Sequence, residues 1–540
     1  MKKRKKKNRK TQSRRLKVQR SSGPDLFSQT QKLLQKIGEW RYTAVVLGSA
    51  YFIVAGLISF RYHKILDYGM ESDFLFEYVP SAREISHGHL PIGDYRGPVY
   101  PILLATVKAI LGDYFKAGLL IGLLAAAVTL ALSFMLIRRL FDSRIALSVA
   151  LLLMGNPYFF MYSYQAGTDM LFSALVTASL YCLLAGTEMS WKYSSASALL
   201  AGLAYLTRYN GIFILAAPAL ILFSNHLQLS WKRRFVAATL FGVLFFICIA
   251  PWGLYCLKEK GSFFYSANRL NIAFDIYGKN QMSREEFFWK GNPFENTSIP
   301  ALVLYDPRVF FGTLVRNFFD HGLKTCEYLL GWPLTVLGLG GATLLLIRKV
   351  PSRQRTYLLL NLAFFLVLLP IHFEVRYPLF MLGGLLTLSA CGLFLWSLNI
   401  GDRVRTASLL ALVGLAIYTG FNSYDINRQQ ISAGPKEVLA VADQFKAKIP
   451  SDKRGRLIAA RKPHIAYYTG LEYVPLPFAS SPEELIQQLK NQKVDYLYFG
   501  PMEYSMRPDL RVLIDSTQSW PGLKAIVASE YPLSVLYKVE

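Results

Sequence analysis

The stretch RYHKILDYGMESDFLFEYVPSAREISHGHLPIGDYRGP, residues 61–98, is a polar segment set between long apolar runs. Its charged residues include Asp67, Glu71, Asp73, Glu77, Arg83, Glu84, Asp94 and Arg96. An ordinary solvated loop would account for these charges on their own. Carboxylates and an arginine at the mouth of a membrane protein would also suit a phosphate-bearing, lipid-linked substrate, so the location of the other charges decides between the two.

The rest of the chain has the composition of a polytopic membrane protein. Of its 540 residues, 53% are hydrophobic and only 18% are charged. Eleven runs without Asp, Glu, Lys or Arg occur at 42–60, 117–137, 145–168, 170–187, 193–207, 209–225, 235–257, 328–347, 356–371, 377–401 and 406–424. Most have the roughly 17–25 residues that a spanning helix needs, which predicts about 11 spans.

The formal net charge of +25 is concentrated at one end of the chain, where residues 1–41 contain fifteen Lys and Arg. This segment has no apolar stretch typical of a signal peptide, so it is predicted to be a basic cytoplasmic tail beside anionic lipid. Nucleic-acid binding is therefore not expected. With this tail inside, the inside segments hold 28 of the 60 Lys and Arg but only five of the 35 Asp and Glu, as the positive-inside rule requires.

The charge count holds only if residues 98–112 do not cross the membrane, so this stretch is predicted to be a helix on the outer surface. The same topology divides the chain into a membrane domain, 42–424, and an extracytoplasmic α/β domain, 425–540. Two outer segments belong to the membrane domain. They are the first loop with its surface helix, 61–112, and a loop at 258–325 that resembles a flap, called here the flap segment.

The last 115 or so residues change character. Helical patterns at 435–449 and 482–492 alternate with the strand-like sequences GRLIAAR, VDYLYFG and AIVASEYPLSVLYKV, which is typical of a small α/β domain. No nucleotide-binding glycine motif occurs anywhere in the chain. The five cysteines have no paired spacing, so neither a disulfide framework nor a cysteine metal site is expected.

The topology brings the remaining isolated charges to the outer side of the membrane. Asp169 lies between two charge-free runs, and Arg208 and Arg376 each lie between two predicted spans. Asp169 could instead be a helix cap. Ionisable residues at this depth are costly unless they pair or line a wet cavity. Together with Asp73 and Arg96, these residues predict a functional site at the outer face.

At these residues the chain resembles a known family. The order DFLFEYVPSAREISHG, RGPVYPILLA, TDMLFSALV and LTRYNGIFILA is similar to that in bacterial relatives of the protein O-mannosyltransferases. These are GT-C integral-membrane glycosyltransferases of family 39, which also include the lipid A aminoarabinose transferases. The segment AARKPHIAYYTGLEYVPLP is similar to one common in bacterial members. Many relatives carry Asp-Glu in the first loop, whereas Phe74 follows Asp73 here.

The resemblance implies a fold, a reaction and a set of roles. A sugar would pass from a polyprenyl phosphate to a lipid, glycan or protein acceptor at the outer face, with inversion of the anomeric centre. Asp73 would be the general base and Asp169 would orient it or the acceptor. Arg96, Arg208 and Arg376 are the candidates for the lipid phosphate, because the planar guanidinium binds phosphate through two donors. No metal and no other cofactor is expected.

Two other classes compete with this interpretation. A transporter or flippase of a lipid-linked saccharide would also use outer arginines, but it would need charged or broken-helix residues near the bilayer centre. A scaffold with a membrane-anchored α/β domain would not need eleven spans.

Overall fold

The structure is a computed structural model that describes residues 35–184, 191–223, 230–348, 350–394, 402–530 and 533–540. Most of the predicted basic tail, residues 1–34, lies outside the described residues. So do residues 185–190, 224–229, 349 and 395–401, which belong to four predicted inside loops and to the ends of three predicted spans.

The described part of the chain is mostly helical. Its helices up to residue 260 are α1 (Thr43–Tyr62), α2 (Met70–Asp73), α3 (Val79–Ser86), α4 (Val99–Leu111), α5 (Tyr114–Leu140), α6 (Ser143–Gly155), α7 (Pro157–Tyr164), α8 (Asp169–Leu184), α9 (Trp191–Thr207), α10 (Ala216–Phe223) and α11 (Trp231–Lys260). Those that follow are α12 (Asn268–Ala273), α13 (Ile299–Tyr305), α14 (Pro307–Lys324), α15 (Trp332–Ile347), α16 (Ser352–Leu368), α17 (Leu382–Phe394), α18 (Asp402–Ser432) and α19 (Lys436–Lys448). Turns of π-helix occupy Phe74–Tyr78, Phe274–Gly278, Glu286–Lys290 and Thr325–Leu330, and 3₁₀ turns occupy Tyr209–Leu215 and Tyr377–Met381.

Each of the eleven predicted spans contains helix. By length and composition, five described helical stretches can cross a membrane, or up to seven if two bent pairs each count as one span. The pairs are Ser143–Gly155 with Pro157–Tyr164, bent by 62°, and Pro307–Leu330 with Trp332–Ile347, bent by 119°. The chain is an integral membrane protein, and the count of eleven spans stays a prediction.

Close helix contacts depend on glycine. A Cβ atom on Gly341 of α15 would lie 1.9 Å from the carbonyl oxygen of Leu388, and one on Gly392 of α17 would lie 1.9 Å from that of Leu337. Small residues at such positions let two helix backbones approach closely within a membrane. This contact joins α15 and α17 in the core that also includes α5 and α6.

The flap segment is more structured than a loop. It contains α12, two π-helical turns, α13 and α14, and it has its own apolar core. That core consists of Ala273, Phe274, Ile276, Tyr277, Phe287, Phe294, Leu302 and Phe310. The aromatic residues of the flap segment therefore pack largely against one another.

The predicted C-terminal α/β domain is confirmed. Its elements are β1 (Leu457–Ala460), α20 (His464–Thr469), β2 (Glu472–Pro475), α21 (Pro482–Asn491), β3 (Tyr496–Phe499), α22 (Pro501–Met506), β4 (Leu523–Glu530) and β5 (Leu533–Val539). The strand order is β2-β1-β3-β5-β4. The first three strands are parallel, and β5 is antiparallel to both β3 and β4. The sequence pattern missed β2 and α20, and it gave β4 and β5 as one strand. The predicted boundary at residue 425 falls inside α18.

Candidate active site

Asp73 lies on a helical segment within the first polar loop. It is the last residue of the short helix α2. The π-helical turn Phe74–Tyr78 follows directly, and α3 begins at the next residue. Turns of π-helix occur frequently at functional sites. The side chain of Asp73 is 38% exposed, so its carboxylate is accessible from solvent.

Arg376 joins Asp73 to a second carboxylate. Its Nη1 donates to Asp73 Oδ2 at 2.9 Å, and its Nε donates to Glu374 Oε2 at 2.5 Å. The guanidinium is largely buried and also lies 5.5 Å from the centre of the Tyr377 ring. Because two carboxylates already hold Arg376, less of its charge is available to a phosphate than the sequence suggested.

Asp169 and Arg208 form a buried ion pair. Arg208 Nη1 contacts Asp169 Oδ1, with both side chains nearly inaccessible at 6% and 4% exposed. Arg208 also faces the Tyr377 ring at 5.9 Å. Asp169 is thus a partner for an arginine as well as the first residue of α8. Its other oxygen, Oδ2, is buried and has no hydrogen-bond partner among the described residues.

Arg96 is directed inward from the first loop. Its Nη1 donates to the carbonyl of Tyr95 at 3.0 Å, while its buried Nε has no partner among the described residues. Burial raises the pKa of the neighbouring carboxyl of Glu77, although the charge of Arg96 opposes this shift. The next residue, Gly97, faces helix α9, where a Cβ atom would lie 2.0 Å from the carbonyl oxygen of Leu206.

A cavity of about 610 Å³ adjoins these ion pairs. Its cationic lining residues are Arg96, Arg208, Lys260 and Arg269. Its aromatic lining residues are Tyr205, Tyr209, Phe264, Tyr265 and Tyr377. Among the described residues that line it there is no Asp or Glu. The cavity is therefore suited to a ligand with an anionic group and apolar or sugar-like faces.

The five predicted site residues are thus close together. Arg376 and Arg208 each pair with one of the two predicted aspartates, and Arg96 and Arg208 line the same cavity. Their roles stay predictions. The sequence did not suggest Glu374, His372, Lys260 or Arg269 as site residues. Each lies in a polar segment, and local sequence does not reveal which distant residues such a side chain contacts.

The C-terminal domain closes one side of the site. From the loop after β1, Lys462 Nζ donates to Ser72 Oγ at 3.1 Å, next to Asp73, and burial lowers its pKa. His464 Nε2 donates to the carbonyl of Asp67 at 2.7 Å. Since parallel strands present their carboxyl ends at one edge of a sheet, the loop after β1 places both side chains against the first loop.

The same edge of the sheet holds the flap segment. Glu285 is an ion-pair partner of both Arg461 and Arg507, each through an Nε–O distance of 2.6 Å. Lys290 Nζ lies 3.8 Å from the centre of the Phe478 ring. The flap segment also contributes Asn268 and other residues to the cavity wall. The C-terminal domain therefore supports this wall through its contacts with the flap segment.

Within the described residues, no group of three or more His, Cys, Asp or Glu side chains is arranged to hold a metal ion.

A helical membrane body with aspartate–arginine pairs beside a cationic cavity, joined to a small α/β domain, defines a protein with the GT-C fold. The sequence model of the dolichyl-phosphate-mannose-protein mannosyltransferase family matches residues 95–255, which include Arg96, Asp169 and Arg208. A comparison with curated protein sequences found no match. The predicted resemblance to GT-C integral-membrane glycosyltransferases is confirmed.

Solved structures give the particular likenesses. ArnT from Cupriavidus metallidurans bound to undecaprenyl phosphate is 15% identical, with a TM-score of 0.54 over 92% of this chain and 98% of that one. The Archaeoglobus fulgidus oligosaccharyltransferase in complex with Zn and sulfate is 16% identical, with a TM-score of 0.56 over 83% and 68%. The same organism's AglB, in complex with an inhibitory peptide and a dolichol-phosphate, is 14% identical, with a TM-score of 0.55 over 85% and 70%. At these identities the likeness establishes the fold.

Proposed function

We propose that this protein is a glycosyltransferase that moves a sugar from a polyprenyl-phosphate donor to an acceptor at the outer face of the cell membrane, with inversion. The observation that carries the proposal is the cavity whose described lining contains four cations and no carboxylate, next to the exposed carboxylate of Asp73. The family match and the structural neighbours, one bound to undecaprenyl phosphate and another to a dolichol-phosphate, support the same class of donor.

The proposed reaction assigns a role to each side of the site. The acceptor hydroxyl loses its proton to Asp73, and its oxygen attacks the anomeric carbon from the face opposite the phosphate. The bond between that carbon and the phosphate oxygen breaks, and its electron pair leaves with the polyprenyl phosphate. The attacked carbon has oxocarbenium character, so the barrier falls when the departing charge is stabilised.

The phosphate would lie at the inner end of the cavity. Arg96 has a free buried Nε there, and the Arg208 side chain lines the same wall. Lys260 and Arg269, which belong to the flap segment, make no ion pair with a carboxylate within the described chain and are further candidates. Arg376 serves Asp73 more than the phosphate, because its Nε and Nη1 both face carboxylates.

The proposed location follows from the charge distribution. The protein would lie in the cell (inner) membrane. The basic tail and the inside loops would face the cytoplasm, and the C-terminal domain would lie on the opposite side of the membrane. The contacts of Lys462 and His464 with the first loop support this placement, since they require the two segments to be on the same side.

Purified protein in liposomes, supplied with a panel of polyprenyl-phosphate sugars, tests the function. We expect release of free polyprenyl phosphate together with a glycosylated acceptor. Asp73→Asn keeps size and hydrogen bonding but removes the base, so transfer should fall by at least roughly a hundredfold. Glu286→Gln, an exposed change on the flap segment, is the matched control. Movement of the donor across the bilayer without release of polyprenyl phosphate would instead identify a flippase.

A further inference from the structure

A chain of alternating charges runs from the flap segment to Asp73. Asp275 Oδ2 accepts from the backbone N–H of His372 at 2.8 Å and lies 2.9 Å from its Nδ1. His372 Nε2 lies 3.3 Å from Glu374 Oε1. Glu374 Oε2 accepts from Arg376 Nε at 2.5 Å, and Arg376 Nη1 donates to Asp73 Oδ2 at 2.9 Å. Two predicted site residues thus form one end of a five-membered series.

The protonation of His372 follows from its neighbours. Both ring nitrogens face carboxylate oxygens, and both can donate only in the imidazolium form. Burial alone lowers the pKa of His372, but the hydrogen bonds to Asp275 and Glu374 outweigh it and raise this pKa to about 9. Burial raises the pKa of Glu374, and its hydrogen bond to His372 and the charge of Arg376 outweigh that effect and lower it to about 2. Near neutral pH His372 is therefore a cation, and Glu374 is an anion held between His372 and Arg376.

The arrangement limits how Arg376 meets Asp73. An arginine facing one carboxylate tends to bind it through two parallel donors. Here Glu374 occupies the Nε edge, and Asp73 receives a single donor through Oδ2. Among the described residues, none donates a hydrogen bond to Asp73 Oδ1, so this oxygen is left to accept a proton from an acceptor hydroxyl.

We propose that Glu374 is a positioning residue for the transfer: by holding the Nε edge of Arg376, it limits that arginine to a one-donor contact with Asp73, and His372, anchored by Asp275, keeps Glu374 in place. This inference rests on the proposed function, in which Asp73 is the base. It also makes the flap segment part of the catalytic arrangement, because Asp275 belongs to that segment.

Other charged groups face Asp73 and stay in place in every variant considered. Arg96 and Glu77 approach it from the first loop, and Lys462 approaches it from the C-terminal domain. Asp169 acts on Arg376 from α8. A comparison between variants therefore measures the change at one position against a constant background.

The test is the pH profile of kcat/KM for two variants that change the series in opposite senses. Glu374→Gln removes a negative charge and releases Arg376 towards Asp73, so the base weakens. The acid limb, which is the low-pH side of the kcat/KM profile, should move to lower pH by about half a unit to one unit. The value of kcat should fall roughly tenfold. His372→Gln keeps an N–H donor that can hold Glu374 in place but removes a positive charge, so the acid limb should move to higher pH.

A matched control separates this effect from a general loss of charge. Glu286→Gln removes the same charge from the flap segment, where Glu286 contacts Ser283 and Lys290 but not the series. Its acid limb should stay at the wild-type position. Glu374→Asp keeps the charge, so its limb should also stay in place, although the shorter side chain should lower kcat.

An unmoved acid limb in Glu374→Gln, or limbs that move in the same direction in Glu374→Gln and His372→Gln, would overturn the proposal and leave these residues a structural role. If Glu374→Gln does not fold, Glu374→Asp and His372→Gln decide it, because a normal limb in His372→Gln contradicts the series. The failure of the proposed function would look different. In that case the wild-type protein itself would transfer no sugar from any donor, whereas failure of the positioning proposal would leave wild-type transfer intact and change only the pH profiles of the variants.

Discussion

The ion pair between Asp169 and Arg208 offers the sharpest separation of stability from activity. Both side chains are almost inaccessible to solvent. Asp169→Asn would leave the guanidinium of Arg208 buried with no carboxylate partner. Breaking a buried pair from one side costs about 3 to 5 kcal/mol, because the remaining charge stays desolvated.

The double variant Asp169→Asn with Arg208→Met removes both charges. Replacing a buried pair completely is often close to neutral, so the double variant should recover most of the stability lost in Asp169→Asn. The free energy of unfolding is measured by SDS titration in mixed micelles for the wild type, Asp169→Asn, Arg208→Met and the double variant. These four values give the coupling energy between the two residues. Transfer should not recover, because Arg208 also lines the cavity, and its loss should cost roughly a hundredfold in rate.

Two results would refute this reasoning. An unfolding free energy for Asp169→Asn equal to that of the wild type would mean that Arg208 finds solvent or another partner. Recovery of transfer in the double variant would mean that Arg208 does not serve the donor, and the phosphate would then be assigned to Arg96 together with Lys260 and Arg269.

Four further predictions concern topology, metal, phosphate and pH. A reporter fused after residue 140 should face the cytoplasm and one after residue 430 the outside, and an inside signal at the second position would contradict the topology. EDTA should leave transfer intact, whereas a loss restored by Mg²⁺ or Mn²⁺ would make the aspartates ligands. Arg96→Lys should retain partial activity and Arg96→Ala almost none, with the loss in kcat as well as KM, because the leaving charge grows in the transition state; unchanged kinetics would remove Arg96 from the site. Burial and the charge of Glu71 raise the pKa of Asp67 from 3.8 to about 6, so this carboxyl contributes stability at low pH that is lost as pH rises through 6. The unfolding free energy of Asp67→Asn should therefore rise by roughly 2.4 kcal/mol relative to that of the wild type between pH 4 and 7.5, and a constant difference between the two would refute the shift.

The sequence was sufficient for the class of the protein, because that class depends on long-range patterns. Charge-free runs of spanning length and the one-sided distribution of Lys and Arg indicate a polytopic membrane protein. The order of the motifs around Asp73, Arg96, Asp169 and Arg208 indicated the GT-C resemblance that the comparisons confirm. The convergence of these residues on one face followed from counting membrane crossings.

The pairing within the site was beyond the sequence. Asp73 and Arg376 are 303 positions apart, and Asp275 and His372 are 97 apart, so local patterns carry no sign of their contact. Glu374 has the appearance of an ordinary loop charge two residues before Arg376. The flap segment was also misjudged as loop-like, because its aromatic residues form a local core through π-helical turns that have no simple periodicity.

The contacts of the C-terminal domain impose an order on how the active protein is made. The first loop and the flap segment leave the ribosome long before Lys462, His464 and the partners of Glu285 are synthesised. Until then, Glu285 is a carboxylate without its two arginines, and Ser72 lacks the ammonium group that lies beside Asp73. The nascent enzyme is therefore incomplete until its C-terminal α/β domain has been synthesised and folded, so a sugar donor in the surrounding bilayer is not consumed by half-finished chains.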